Sequence, residues 1–238
     1  SGGALPLADG ILLGMGKFNR ILEIDYENRC AVVQPGVTNL GISNAVAADG
    51  FYYAPDPSSQ IACTIGGNVA ENAGGVRCLK YGLTLHNVLR IRGFTIEGEP
   101  FELGSEACDS PGLDLLALFV GSEGMLGVAT EITVRLAPRP QTARCIMASF
   151  DDLRKAADAV ARIVAAAIMP AGLEMMDKPM IAAAEAFVHA GYDLNAEAIL
   201  LCESDGTEDE VAEEIERMRD VLLQAGATRI EVSRGEAQ

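Results

Sequence analysis

The chain has 238 residues, enough for one large or two small domains, and 49% of them are hydrophobic, so it can bury a sizeable core. Its formal net charge of −16 excludes nucleic-acid binding through bulk electrostatics, because so acidic a surface repels phosphate backbones. Six cysteines without a C-x-x-C pair argue against zinc, iron–sulfur and small disulfide scaffolds, and indicate buried free thiols in a reducing, cytoplasmic compartment. The longest apolar run is interrupted by Arg162, Pro170 and Glu174, so no membrane span is predicted.

The first predicted elements are a hairpin, a short helix and an extended segment. Alternating apolar residues over 21–33 predict two antiparallel strands, which the following Pro-Gly pair ends. The sequence "TNLGISNAVAADG" predicts a short helix, with Thr38 or Asn39 as its cap and Gly50 just beyond its end. Because proline disfavours helix at and before itself, "FYYAPDPSSQ" is predicted to be extended or turned.

The stretch "CTIGGNVAENAGG", residues 63–75, is the most unusual in the chain. Its four glycines argue against a helix. Backbone without side chains lets N–H groups converge and a large ligand approach, which favours an anion-binding concavity for phosphates. Asn68 and Asn72 add uncharged donors and acceptors, and Lys80 downstream adds a cation. Composition alone leaves open a tight glycine turn that only fills a gap.

The chain then returns to strands. A second hairpin is predicted over 88–103 with Gly98 at its turn, and a helix that begins near Asp114 breaks at Gly121 before the strand Ala129–Leu136. The intervening turn, "GSEGMLG", carries three more glycines. With the proline-containing segment and the glycine stretch, the first domain has three rigid or glycine-rich turns. This pattern favours an elongated ligand held largely by backbone.

The two prolines of "LAPRP" mark a predicted boundary between a domain of residues 1–140 and one of residues 141–238. Beyond it, strands alternate with amphipathic helices, which predicts a ferredoxin-like α+β sandwich with its helices on one face. The last helix carries the clearest signals, with Thr207 as cap, Glu210 at the capping-box spacing and Gly226 as terminator.

Several catalytic motifs are missing from the sequence. It has no Walker A motif and no G-x-S-x-G elbow, and "GMGKFN" lacks the third glycine of a dinucleotide fingerprint and precedes a strand. The only two histidines do not have metal-ligand spacing, so no metal site is predicted. Structural or solvated roles are favoured for both His86 and His189.

Two long stretches carry a family resemblance. The sequences "PDPSSQIACTIGGNVAENAGGVRCLKYG" and "LFVGSEGMLGVATEITVRLAPRP" resemble the flavin-binding domain of the vanillyl-alcohol-oxidase/PCMH superfamily of FAD-linked oxidases. Within it, the sequence is most similar to the glycolate oxidase flavin subunit and to D-lactate and D-2-hydroxyglutarate dehydrogenases. The likeness is strong over residues 1–140, whereas the later domain matches the same proteins' substrate cap more loosely, best at "GLEMMD".

The resemblance implies an α+β protein with a PCMH-type FAD-binding subdomain, a ferredoxin-like α/β-sandwich cap domain and FAD as cofactor. The implied FAD contacts fall into four groups along the chain: the tail of the pyrophosphate loop, a wall at the middle of the flavin, a wall along the ribityl and pyrophosphate, and a turn at the adenine end. In that order they are Ser1, Gly2 and Gly3; Pro55, Asp56, Pro57 and Ser58; Cys63, Thr64, Gly66, Gly67, Asn68, Asn72, Ala73 and Gly74; and Glu123, Gly124, Gly127 and Val128.

The resemblance also implies that the FAD domain lacks its N-terminal part and that the cap is truncated at its C-terminus. The family's histidine-rich catalytic stretch and its substrate-binding arginine are expected beyond Gln238, so no catalytic residue is named in this chain. The implied reaction oxidises a small 2-hydroxy acid by hydride transfer from C2 to the flavin N5. The implied electron acceptor is a quinone, a cytochrome, an iron–sulfur subunit or oxygen, and both homo- and hetero-oligomers fit.

Two other functions stay open at this point. One is a different enzyme on the same flavin scaffold, such as an alcohol oxidase or an alkyl-glycerone-phosphate synthase. The other is a non-catalytic module that keeps the fold but binds no flavin. The sequence does not identify the hydroxy acid, the electron acceptor or the oligomeric state.

Overall fold

The computed structural model of the chain describes residues 5–105 and 112–233. By their contacts these described residues fall into two compact units, one within Ser1–Ala73 and Leu83–Ala137 and the other within Gly74–Gly82 and Pro138–Gln238. The elements in chain order are β1 (Ile21–Asp25), β2 (Cys30–Val33), α1 (Asn39–Val46), a 3-10 turn (Ala47–Asp49), β3 (Phe51–Tyr52), α2 (Ile65–Glu71), α3 (Cys78–Tyr81), α4 (Thr84–Asn87), β4 (Val88–Phe94), β5 (Pro100–Gly104), α5 (Leu115–Phe119), β6 (Val128–Arg135), β7 (Ala137–Pro138), β8 (Thr142–Phe150), α6 (Leu153–Ala165), β9 (Gly172–Asp177), α7 (Lys178–Val188), β10 (Ala198–Gly206), α8 (Glu208–Gln224) and β11 (Arg229–Val232).

The first unit is built on a five-stranded antiparallel sheet in the order β1-β2-β6-β4-β5. Both predicted hairpins are confirmed, as β1–β2 and β4–β5, and Gly98 takes a positive φ of 82° at the second turn. Buried side chains of the central strands, such as Ile91 and Ile132, share one apolar core with Ile42 of α1 and Ile65 of α2. The core therefore holds α1 and α2 to the sheet.

The predicted ends of α1 are also confirmed. The Thr38 hydroxyl caps the helix by accepting a hydrogen bond from the Gly41 N–H at 3.1 Å. A single 3-10 turn follows the helix, and Gly50 ends it in the left-handed conformation at φ 79°. Local capping chemistry is thus enough to set both ends of this helical stretch.

The second unit has a four-stranded antiparallel sheet in the order β11-β8-β10-β9, which is the strand order of a ferredoxin-like sandwich. On one face, Leu200 and Cys202 of β10 share an apolar core with side chains of α6 and α8. On the opposite face, Ile199 packs with Ile181 of α7. The prediction of helices on one face is therefore wrong for α7. The physical reason is that β10 is apolar on both of its faces, so each face needs cover.

Helix α8 begins and ends as its sequence predicts. Thr207 and Glu210 form a reciprocal capping box, in which a Glu210 carboxylate oxygen accepts from the Thr207 N–H at 3.0 Å. This bond holds the pKa of Glu210 below its usual value. Gly226 follows the helix with a φ of 90°.

The described cysteines are all free thiols: Cys30, Cys63, Cys78, Cys145 and Cys202. Among them Cys30 and Cys202 are buried, so the prediction of buried thiols is confirmed for those two, while Cys108 lies outside the described residues. Burial raises the pKa of Cys202 to about 12, which keeps this thiol protonated and unreactive at neutral pH.

Candidate functional site

Most of the glycine stretch forms a helix, contrary to the sequence prediction. Thr64 caps α2 by accepting from the Gly67 N–H at 3.3 Å, and Asn72 ends the helix in the left-handed conformation at φ 49°. The two glycines of the first turn differ in their surroundings. A Cβ on Gly66 would lie 2.6 Å from Pro35 Cβ, whereas among the described residues a Cβ on Gly67 would meet only the Thr64 hydroxyl, at 3.5 Å. Gly66 therefore serves packing, and Gly67 leaves an exposed patch of bare backbone.

The first turn of α2 does not offer a cluster of free N–H groups. The Ile65 and Gly66 N–H groups donate to Val37 and Pro35 carbonyls, each at 2.8 Å, and the Gly67 N–H is taken by the cap. The expected anion-binding concavity of converging amides is therefore wrong for this turn. What the turn presents is an open surface at Gly67 rather than a set of unpaired donors.

The glycine-rich turn at 121–124 packs directly on α2. The Gly121 N–H donates to the Val69 carbonyl at 2.7 Å, and the Glu123 N–H donates to the Ala70 carbonyl at 2.9 Å. Gly121, Glu123 and Gly124 all have positive φ values, of 87°, 54° and 77°. The structure thus joins two distant segments, both named in the sequence analysis, into one surface, here called the α2 surface (residues 64–73 and 121–124).

Two buried polar atoms in the α2 surface have no hydrogen-bond partner among the described residues. They are Nδ2 of Asn68, whose residue is 2% exposed, and the Ser122 hydroxyl. A buried polar group without a partner costs free energy, so such atoms indicate a partner outside the described residues. Sequence reasoning named Asn68 as an FAD contact but did not name Ser122 as one. The signal that could have found it is its place between two glycines in the turn.

The residues 55–63, here called the proline segment, lie over the start of α1. Asn39 donates from its side chain to the Pro55 carbonyl at 3.0 Å and from its backbone to the Cys63 carbonyl at 3.0 Å. Pro55 and Pro57 are buried, Asp56 and Cys63 are half-buried, and Ser58 is exposed. Thr38 also forms a β-bridge with Thr64, so the proline segment leads straight into α2.

Other predicted site residues are placed differently. Ser1, Gly2 and Gly3 lie outside the described residues. Gly127 is held by packing in the sheet, because a Cβ there would meet a Phe101 ring carbon at 2.8 Å, while Gly124 has open space around it. Val128 begins β6 and pairs with Phe94 of β4. Ala73 donates to the Asn68 carbonyl at 2.9 Å and so closes the end of α2.

Lys80 is not available to a ligand as predicted. The segment Gly74–Gly82 belongs to the second unit, in which the Lys80 ammonium lies 2.5 Å from the Asp205 carboxylate, whose side chain is fully buried. The Tyr81 hydroxyl donates to the same carboxylate at 2.7 Å, and Arg77 pairs with Glu203 at 2.8 Å. The interpretation of Lys80 as a ligand cation is therefore wrong, because its charge is used to neutralise a buried carboxylate.

The two histidines have the structural or solvated roles that the sequence favours. Nδ1 of His86 accepts from the Leu83 N–H at 3.0 Å in the short helix α4. His189 is an exposed residue that ends α7 in the left-handed conformation. Among residues 5–105 and 112–233, no group of side chains has a metal-binding arrangement, and no helix is long and apolar enough to cross a membrane.

Two family profiles match the chain, one to each half. Residues 1–104 match the family described as "FAD binding domain", and residues 139–238 match "FAD linked oxidases, C-terminal domain". Together the two matches cover most of the chain and leave out the region that contains β6.

Comparison with curated proteins gives relatives over the whole chain. The chain is 63% identical to the glycolate oxidase subunit GlcD of Escherichia coli (strain K12) over 238 residues, which are 100% of this chain and 48% of that protein. It is 34% identical to a D-lactate dehydrogenase of Anaerostipes hadrus, over 98% of this chain and 50% of that protein. The chain thus spans about half the length of the curated relatives it matches.

Solved structures of other proteins share the fold. An alkyldihydroxyacetonephosphate synthase aligns with a TM-score of 0.79 and 21% identity, over 94% of this chain and 44% of its own. A substrate-bound p-cresol methylhydroxylase aligns with a TM-score of 0.74 and 18% identity, over 91% of this chain and 48% of its own. At these identities the likeness concerns the fold alone, and it confirms the predicted α+β, PCMH-type architecture.

Proposed function

The chain belongs to the FAD-linked oxidases, and from that membership we propose that it is part of an FAD-dependent oxidoreductase that oxidises a small 2-hydroxy acid. The observation that carries the proposal is the 63% identity to a glycolate oxidase subunit along the whole chain. Glycolate, D-lactate and D-2-hydroxyglutarate are the substrate candidates, because relatives of the chain are named a glycolate oxidase subunit, a D-lactate dehydrogenase and a D-2-hydroxyglutarate dehydrogenase. Residues 1–140 would form the FAD-binding domain and residues 141–238 part of the substrate domain.

The residues of the α2 surface fit a long cofactor. Gly67 and Gly124 leave bare backbone along it, and the buried Asn68 amide offers a donor that is unpaired among the described residues. We assign FAD to this surface and to the proline segment beside it. Gly66 in this surface and Gly127 outside it would contribute mainly through packing, because their missing side chains make room for Pro35 and Phe101.

The chemistry divides between cofactor and protein. When bound, FAD supplies a two-electron acceptor for the hydride that leaves C2 of the substrate. The α2 surface and the proline segment would bind and orient the cofactor. We assign the proton-accepting base to no described residue, because His86 is hydrogen-bonded within α4 and His189 caps α7 in solvent.

We further propose that the protein is cytoplasmic, because its free thiols fit a reducing compartment. As electron acceptor we propose a quinone, a cytochrome, an iron–sulfur subunit or oxygen.

An anaerobic substrate screen tests this function. The full-length holoprotein is mixed with glycolate, D-lactate or D-2-hydroxyglutarate, and the visible absorption of the oxidised flavin is followed. We expect bleaching by at least one of them and none by ethylene glycol, which matches glycolate except for its carboxylate. Flavin that no 2-hydroxy acid bleaches would contradict the proposal, and bleaching by simple alcohols would favour an alcohol oxidase on the same scaffold.

Replacing Asn68 with leucine separates a ligand role from a folding role. The exchange removes a buried donor that has no partner in the described structure, so we expect the melting temperature of the apoprotein to stay the same or rise. The dissociation constant for FAD should rise about tenfold, the value of one good hydrogen bond. Flavin fluorescence titration and thermal melting measure the two effects. A parallel loss of stability and affinity would count against a ligand role for Asn68.

A further inference from the structure

We propose that Asn39 is a positioning residue for the cofactor site, because it fixes both ends of the proline segment on α1. The inference rests on the proposed function, since it takes the proline segment as one side of the FAD site. Asn39 belongs neither to the residues that the family resemblance implies nor to the α2 surface. Its role follows from two hydrogen bonds and from its complete burial.

The two hydrogen bonds of Asn39 span the whole proline segment. Its side-chain Nδ2 donates to the carbonyl of Pro55, the first residue of the segment, at 3.0 Å. Its backbone N–H donates to the carbonyl of Cys63, the last residue, at 3.0 Å. Between them, the Leu40 N–H donates to the Gln60 carbonyl at 3.0 Å. The bond to Cys63 comes from the backbone and does not depend on the side chain at position 39. The asparagine amide therefore adds the anchor at the Pro55 end and so sets the distance between the two ends of this segment.

The proline segment needs such an external support. Pro55 and Pro57 lack backbone N–H groups, so this stretch cannot be held by a regular strand ladder. It also carries no strand or helix of its own between β3 and α2. Its own turns close hydrogen bonds among residues 57–63, such as the Gln60 N–H to the Pro57 carbonyl at 2.8 Å. These bonds do not hold Pro55, and the Asn39 amide is the side-chain donor that reaches this first residue.

Stability alone is a poor explanation for an amide at this position. Asn39 is fully buried, and its Oδ1 has no hydrogen-bond partner among the described residues. A buried amide that is only half satisfied is costly compared with an apolar side chain of similar shape. The asparagine is explained if the shape of the proline segment matters for cofactor binding. An apolar side chain of similar size, such as leucine, could not donate the hydrogen bond to Pro55 that sets this shape.

Ser43 provides a matched control on the same helix. Its hydroxyl accepts from the Tyr53 N–H at 3.0 Å and donates to the Tyr53 carbonyl at 3.4 Å, so it ties down the chain just before the proline segment. Replacing Ser43 with alanine removes two hydrogen bonds but leaves both anchors of the segment. It should therefore lower the melting temperature without changing the site.

The experiment compares Asn39→Leu, Asn39→Ser and Ser43→Ala with the wild type in the full-length protein. FAD affinity is measured by titrating the apoprotein, and hydrogen–deuterium exchange is followed over residues 55–63, which leaves out the Tyr53 amide that Ser43→Ala itself frees. We expect both Asn39 variants to bind FAD about tenfold or more weakly. They should also exchange faster in the proline segment, whereas Ser43→Ala keeps the wild-type affinity. In Asn39→Ser the side chain stays polar but is too short to reach Pro55. This variant therefore tests the same hydrogen bond if the leucine variant does not fold.

The outcomes separate this inference from the function on which it rests. If the wild type binds FAD and both Asn39 variants bind it equally well, the positioning role is overturned while the proposed function stands. Equal losses of affinity in Ser43→Ala and in the Asn39 variants would also overturn it, since general destabilisation would explain them. If the wild type takes up no FAD at all, the proposed function falls, and the positioning role falls with it.

Discussion

Replacing Gly67 with valine is expected to weaken FAD binding by the full-length protein more than about 100-fold, with little change in its melting temperature. Gly67 is exposed in the first turn of α2, and among the described residues only the Thr64 hydroxyl comes within 4 Å of the position of a Cβ. The fold therefore has room for a side chain. A branched side chain would instead occupy the space in which we place the cofactor.

The neighbouring glycine gives the control for this prediction. A Cβ on Gly66 would lie 2.6 Å from Pro35 Cβ, so Gly66→Ala should lower the melting temperature before any ligand is added. The measurement is flavin content after purification together with thermal melting of each apoprotein. Wild-type flavin content in Gly67→Val would contradict the assignment of FAD to the α2 surface.

Replacing Lys80 with methionine is expected to lower the free energy of unfolding by about 2–3 kcal/mol, because it leaves the Asp205 carboxylate without its cation. The Asp205 side chain is fully buried, whereas that of Lys80 is 28% exposed, so we expect less than the full loss for a buried pair. The Tyr81 hydroxyl still donates to the carboxylate in the variant, which limits the cost further. Urea unfolding of the full-length protein measures the change.

An exposed ion pair in the same unit is the control. Lys155 pairs with Asp151 at 2.8 Å on the surface of the protein, where water screens the interaction. Lys155→Met should therefore unfold at the wild-type urea concentration. If Lys80→Met also behaved like the wild type, Lys80 would be free of a structural duty, and the earlier interpretation of it as a ligand cation would regain support.

Much of the fold could be predicted because its signals are local. The turn at Gly98, the Thr38 cap and the Thr207–Glu210 capping box are each read from a few adjacent residues, and each is found in the structure. The cover on both faces of the second unit's sheet is not among the predictions from the sequence. The continuous apolar run at the start of β10 was the available signal for it.

Helix α2 is not predicted from the sequence, because the low helix propensity of its glycines outweighs the capping signal. Two adjacent glycines disfavour a helix, but the close approach to Pro35 requires Gly66, and tertiary contacts override the propensity. The sequence did hold the opposing signal. Thr64 stands at the cap position, Ile65 and Val69 follow at helical spacing and are buried, and Asn72 can end a helix in the left-handed conformation.

The structural role of Lys80, its ion pair with Asp205, could not be predicted from the sequence around it. Its partner Asp205 lies 125 residues later in the chain, and the partner of Arg77 lies 126 residues later. Nothing near position 80 shows that the segment Gly74–Gly82 leaves the first unit and packs with the second. The role of Asn39 could not be predicted either, because its hydrogen bond to Pro55 depends on where the proline segment passes over α1.

Hydrogen–deuterium exchange of the full-length apoprotein, with and without added FAD, tests most directly whether the α2 surface is the cofactor site. We predict that FAD slows amide exchange in residues 64–73 and 121–124 and in the proline segment, while the sheet of the second unit is unaffected. Binding of FAD with protection confined to other parts of the chain would contradict the assignment.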